Sequence, residues 1–150
     1  MGQYYKIVNL DKKEYLHPHT FGDGLKLLEF GDGGLTMTAL AVLLSNGNGR
    51  GGGDLNTKSV IPGRWAGDRI VVAGDYGDEG KWLENFSQAE LEVVAKKILG
   101  DYQKIKNVNL YDYAEVYFEN ISPKVLKVLC EDKFIAERVK KDPFLINENV

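Results

Sequence analysis

Sixteen of the 17 glycines in this 150-residue chain lie before residue 81, and only Gly100 follows. Glycine inside a helix or strand costs roughly 0.5–1 kcal/mol relative to alanine. The stretch 1–80 is therefore restricted to short elements joined by turns, whereas 81–150 can carry longer helices. The length predicts one domain, with a glycine-rich β and loop half at 1–80 and a helix–strand–helix half at 81–150. A domain of this size buries about 68–70% of its unfolded surface, so no disulfide or metal is needed to hold it. The lone Cys130 excludes an internal disulfide and every multi-cysteine zinc or iron–sulfur framework.

The opening M-G-Q-Y-Y-K-I-V-N-L lacks the apolar core of a secretion signal. The longest apolar run, Leu35 to Leu44, is about half of a membrane span. A cytoplasmic protein with no membrane partner is expected. Residues 1–75 balance eight basic against eight acidic side chains, and 76–150 hold eleven basic and fourteen acidic ones. The later lysines alternate with glutamates at helical spacing, as Glu92 does with Lys96 and Lys97. No basic stripe free of acidic residues is present, so nucleic acid is disfavoured as a partner.

The plainest element runs over 88–99. Ser87 and Glu90 make an S-x-x-E capping box, with Phe86 and Leu91 as its hydrophobic staple. Leu91, Val94, Ala95, Ile98 and Leu99 form one apolar stripe, and Gly100 is placed to end it. A second helix over 123–141 is predicted from Ser122 and Pro123 at its start, with Pro143 as its stop. Between the two, Tyr111, Tyr113, Tyr117 and Phe118 alternate with polar residues and predict a strand over 108–119. Tyr4 to Leu10, a polar Asp11–Glu14 turn and Tyr15-Leu16 read as a hairpin. Leu25 to Phe30 fits either helix or strand. Leu35 to Leu44 carries β-branched residues, yet its length and the Ser45-Asn46-Gly47 ending favour a helix closed by a left-handed terminator. Arg69 to Ala73 reads as a short, buried-type strand. The expected fold is α+β: a small, mostly antiparallel sheet packed against two C-terminal amphipathic helices.

Asn46 to Asp54 reads N-G-N-G-R-G-G-G-D. Gly47, Gly49 and Gly52 formally match a dinucleotide fingerprint, but no helix with an apolar period follows to face a pyrophosphate. The P-loop pattern is absent. The run predicts a mobile surface loop. A lesser alternative makes Arg50 an anion contact beside a nest of backbone N–H groups. Farther on, G-R-W-A-G-D-R-I-V-V-A-G-D-Y brackets the predicted strand with two Gly-Asp turns. Arg64 beside Trp65 is a pairing common at interfaces, although Trp65 also suits a core position. Asp75 and Tyr76 fall at the strand's C-terminal end, where open sheets place sites.

The strings M-G-Q-Y-Y-K-x-V-N-L-D, F-G-D-G-L-K-L and G-R-W-A-G-D-R-I-V-V-A-G-D-Y together resemble a family of small uncharacterised prokaryotic and viral proteins. The resemblance spans roughly residues 1–80. It implies that the glycine-rich half is the defining unit and carries over no catalytic residue.

His17-Pro18-His19 holds both histidines. In extended backbone they share a face and could bind one metal, with a further ligand from Asp23, Asp32, Asp68 or Asp75. An exposed pair at a hairpin end is the competing reading. There is no G-x-S-x-G, and Cys130 lies on the apolar side of its helix. The leading expectation is a non-enzymatic binding or interaction protein with a protein or small-ligand partner and no cofactor. Its expected surface is the glycine loop with Arg50 and the Arg64–Trp65 corner, with Asp75 and Tyr76 as further candidates. The alternatives are a metal-dependent hydrolase or phosphoryl-handling enzyme using His17, His19 and a carboxylate, and a nucleotide or anion binder using the glycine loop.

Overall fold

The computed structural model describes residues 2–84, 86–142 and 145. Its centre is a hairpin. Strand β1 (Tyr5–Asn9) turns through 10–13 into β2 (Glu14–Leu16), pairing antiparallel with Ile7 opposite Leu16 and Val8 opposite Tyr15. The turn is held from inside. Asn9 Oδ1 accepts the N–H groups of Asp11 and Lys12 at 2.9 and 2.8 Å, an Asx-type closure.

Strand β3 (Ile70–Gly74) lies antiparallel on the other side of β1, with Tyr5 opposite Gly74 and Asn9 opposite Ile70. Strand β4 is only Glu119–Asn120 and runs parallel to β2. The order β3-β1-β2-β4 makes β3 and β4 the two edges of a four-stranded mixed sheet.

Alternation along the strands sends side chains to two cores. Ile7 and Leu16 point to one face, where they join Phe21, Phe30, Trp65 and apolar residues of four helices. These are α1 (Leu27–Gly31), α2 (Leu35–Leu44), α5 (Ser122–Leu129) and α6 (Lys133–Lys141). Val8, Tyr15 and Ala73 point to the opposite face, against α3 (Gln88–Val94) and α4 (Leu110–Tyr117). The fold is α+β as expected, with helices covering both faces of the sheet. No helix among the described residues is long and apolar enough to cross a membrane.

Several elements follow their sequence signals. Ser87 and Glu90 form the predicted capping box, and the helix continues as a π-helical turn at Ala95–Leu99 before Gly100 ends it at φ 75°. The segment 35–44 is helical. Its end differs, since Ser45 is extended and donates both its N–H and its hydroxyl to Val42 C=O.

Two expectations are corrected. The strand predicted over 108–119 is helix α4, with strand pairing only at Glu119–Asn120. Asn109 caps it by accepting Asp112 N–H at 3.0 Å, and Leu110, Tyr113 and Ala114 are buried at helical spacing. Tyr113 stacks near Phe86, ring centroids 4.1 Å apart, so the aromatic that signalled a strand is packing from a helix. The helix predicted over 123–141 is two helices, α5 and α6. They are parted where Asp132 accepts Phe134 N–H at 2.9 Å and Asn56 N–H at 2.9 Å. The Pro143 stop lies outside the described residues.

Candidate functional site

The two sheet edges differ in kind. Natural sheets blunt their edges with short strands, charges, prolines or bulges, because a long apolar edge pairs with other chains. β4 is blunted: two residues, one of them Glu119. β3 is not. Its five residues, Ile-Val-Val-Ala-Gly, include no charge and no proline.

The register shows which backbone groups β3 turns outward. Leu10 N–H donates to Arg69 C=O at 3.0 Å and Asp75 N–H donates to Tyr4 C=O at 2.9 Å. Hydrogen-bonded pairs alternate in an antiparallel ladder, so 69, 71, 73 and 75 face β1 and Ile70, Val72 and Gly74 face away. Among the described residues, the one hydrogen bond made on the outer side is Gly77 N–H to Gly74 C=O, at 2.9 Å. Val72, at the centre, is 42% exposed. The continuous apolar run suited a strand buried on both faces; here it forms a half-open edge.

Beside this edge is a cavity of about 230 Å³. Val71 to Gly74 line one side, Asp78, Lys81 and Trp82 the other, and Asn109 and Leu110 complete it. Trp82 sits at φ 72°. For a bulky side chain that left-handed conformation is an outlier, and such strain is concentrated at sites that bind. Lys81 Nζ lies 5.2 Å from its ring centroid. Asp75 and Tyr76 close the strand's end. Asp75 Oδ1 accepts Tyr4 N–H at 2.9 Å, its C=O accepts Asn109 Nδ2 at 3.0 Å, and the Tyr76 side chain is 71% exposed.

Arg64 and Trp65 are committed elsewhere. Trp65 is fully buried, not part of a surface corner. Glu14, itself buried, accepts Arg64 Nε at 3.0 Å, Arg64 Nη2 at 2.6 Å and Trp65 Nε1 at 2.9 Å. Burial pushes the Glu14 carboxyl up, but the hydrogen bonds from Arg64 and Trp65 outweigh it and hold the group below the usual glutamate range. Asp68 accepts Asn9 Nδ2 and Lys12 Nζ, and Asp11 accepts the N–H and Nε of Arg69. The motif G-R-W-A-G-D-R thus clasps the β1–β2 turn. The backbone does the same to α2, whose Val42 and Leu43 carbonyls accept Gly63 N–H at 2.9 Å and Trp65 N–H at 2.8 Å. Gly63 is at φ +85°, where a Cβ would lie 2.8 Å from Ser45 O.

The glycine loop supplies its own anion. Asp54 Oδ2 accepts the N–H groups of Gly49 and Arg50 at 2.9 and 2.8 Å. Asn48 closes the base through two hydrogen bonds to the Leu55 backbone. The nest of the lesser, anion-binding alternative is filled by a residue of the loop itself, Asp54.

His17 and His19 lie side by side at the end of β2, ring centroids 5.2 Å apart. His17 Nδ1 accepts His19 N–H at 3.2 Å, which takes one of its two ligating atoms. Burial, then the neighbouring His19, holds the His17 imidazole below its usual range. Of the carboxylates considered as co-ligands, Asp23 accepts the N–H and hydroxyl of Thr36, and Asp68 and Asp75 have the partners above. Among the described residues, no three His, Cys, Asp or Glu side chains are grouped to hold a metal ion.

One polar cluster was unmarked in the sequence. Lys6 lies on the α3/α4 face of the sheet, fully buried, ion-paired to Glu115 and with Nζ 3.3 Å from the Tyr111 ring centroid. Burial lowers its affinity for a proton despite the Glu115 partner. Tyr111 is pushed up to about 12, by burial first and then by Glu115. Nothing in Y-Y-K-I-V distinguishes such a lysine from one at a strand surface. Nor is Val72 marked by its composition, because edge or centre is decided by strands more than fifty residues away.

Comparison with family models, with curated proteins and with solved structures finds no match.

Proposed function

We propose that this is a non-enzymatic interaction protein that docks an extended strand of its partner along β3. The observation that carries this reading is the outward backbone of Ile70 and Val72, short of the buried Gly74–Gly77 turn, beside the cavity walled by Trp82. A strand added there gains main-chain hydrogen bonds along the edge and a place for alternate side chains in the cavity. Arg64 and Trp65 serve the surface indirectly: by clasping the hairpin they hold β1, on which β3 is registered. Arg50 is on the separate, self-closed loop.

Panning a random dodecapeptide library against dilute immobilised protein tests the reading. Peptides of alternating apolar and polar character should be selected, and they should slow amide exchange at Ile70 and Val72. Val72→Pro should abolish their binding. That N–H points away from β1, so proline there removes no ladder bond, and an unchanged melting temperature would show that the fold is kept. Selected peptides indifferent to Val72→Pro, or an unprotected Val72 in their presence, would exclude β3 as the docking element.

A further inference from the structure

We infer that His17 is an acid-sensitive latch: neutral, it closes the turn that packs on α5, and protonated, it lets that turn go. The inference is independent of the β3 edge.

The sequence puts this histidine at a junction. Pro18 fixes its own φ and donates no backbone hydrogen bond, so the chain leaves β2 at His17 and turns at once. The turn is a 3₁₀ segment over Pro18–Phe21, ended by Gly22 at φ 80°. His17 is its cap. Nδ1 accepts His19 N–H at 3.2 Å, which requires a neutral ring with its proton on Nε2. His17 C=O accepts Thr20 N–H at 3.1 Å, and His17 N–H donates to Ser122 Oγ at 2.7 Å, at the start of α5. Phe21, the last residue of the turn, is buried in the core that it shares with Val125 and Leu126 of α5.

The surroundings of the ring oppose a further positive charge. Extending the register of Ile7 with Leu16 by one residue sets His17 opposite Lys6. Lys6 bonds its backbone to Ala73 on the β3 side. Towards β2 it is therefore at a non-hydrogen-bonded position, where opposed side chains are closest. Lys6 is fully buried, and among the described residues Glu115 is its one ion-pair partner. The charged or titratable groups facing His17 are thus Lys6 from β1, Glu115 from α4 and His19 from the turn, with neutral Ser122 from α5. Protonation sets an added cation beside Lys6 with one carboxylate to answer both. It also converts Nδ1 from acceptor to donor, aimed at the His19 N–H.

Burial first, then His19 and Lys6, disfavour the imidazolium, and Glu115 offsets them only in part. The folded state binds this proton less tightly than the unfolded chain. The contribution of the latch is whole above the ordinary histidine range and is lost as pH falls through the lower folded value. The release is local. The Glu14 clasp on Trp65 is on the opposite face of the sheet and uses neither histidine.

The two histidines give two ring signals by NMR, and titrating them tests the latch. His17 should titrate below the ordinary histidine value. Between about pH 7 and 5, amide protection at His19, Thr20 and Gly22 should fall about fivefold, the worth of one lost cap, while β1 and β3 amides hold. His17→Asn keeps a side-chain acceptor that takes no proton, so its turn should stay protected over the same range. Lys6→Met removes the facing cation and should raise the pH at which His17 titrates. A wild-type turn equally protected at both pH values, or an acid loss that persists in His17→Asn, would overturn the latch. A His17 titration unmoved by Lys6→Met would overturn the role given to the strand pair.

Discussion

Glu14 concentrates several demands on one carboxylate. Its two oxygens accept three hydrogen bonds, two from the Arg64 fork and one from the Trp65 indole, and the charge is almost out of solvent. Removing it strands the Trp65 Nε1–H in the core without an acceptor. Glu14→Ala should therefore lower stability by about 3 kcal/mol, more than a surface ion pair is worth. Chemical denaturation of the variant against wild type measures the difference. The depressed pKa fixes the sign of the acid response. The folded state holds the Glu14 proton less tightly than the unfolded chain, so its contribution is complete above the ordinary glutamate range and lost as pH falls through the lower folded value. In a Trp82→Phe variant, where Trp65 is the remaining indole, emission should stay constant through mild acid and shift only below the usual glutamate range. A shift at neutral pH would contradict the Glu14 assignment.

At the level of elements, some caps and turns were legible from the sequence alone. Ser87 with Glu90, the polar turn after Leu10 and Gly100 all act within a few residues, and each does in the structure what its spacing says. Helix α4 was misread because tyrosine favours a pleated surface, while Leu110, Tyr113 and Ala114 also satisfy a helical stripe. The deciding group is Asn109, whose side chain caps the helix and ties it to Asp75 C=O at 3.0 Å. Asn109→Ala should cost about 1–2 kcal/mol, and amide exchange at Leu110–Asp112 should quicken well beyond any change in α5. The break between α5 and α6 was hidden for another reason. Asp132 is engaged by Asn56, which no window along the helix contains. The same distance effect separates the candidate sites: Arg64 and Trp65 read either as an interface corner or as a core tryptophan with a solvated neighbour, and the partner that decides between these, Glu14, is fifty positions away.

Across the whole molecule the glycine excess divides into parts of different weight. Gly63 is needed both for its positive φ and where a Cβ would meet Ser45 O, whereas Gly49, Gly51, Gly52 and Gly53 have open space around them and positive φ alone favours glycine there. The loop they form is anchored at Asn48–Leu55 and contributes little to either core. Deleting Gly51–Gly53 should change unfolding free energy by less than about 1 kcal/mol, since loop-closure cost varies slowly with length. A large loss in a denaturant titration would show that the loop supports the fold. The cores themselves were readable as alternation in β1 and β2, but the allocation of helices to two faces depends on a sheet assembled from both ends of the chain.

That assembly also sets a timetable. The central hairpin is complete by Leu16, yet β3 begins at Ile70 and β4 at Glu119. A ribosome adding about 5–20 residues per second needs several seconds to deliver the first neighbour and several more for the second. Until β3 arrives the outer edge of β1 lies bare, and until β4 arrives that of β2 does. A newborn chain must wait as an unfinished pair of strands, so its hazard is greatest early in synthesis, when a neighbouring nascent copy offers the nearest substitute.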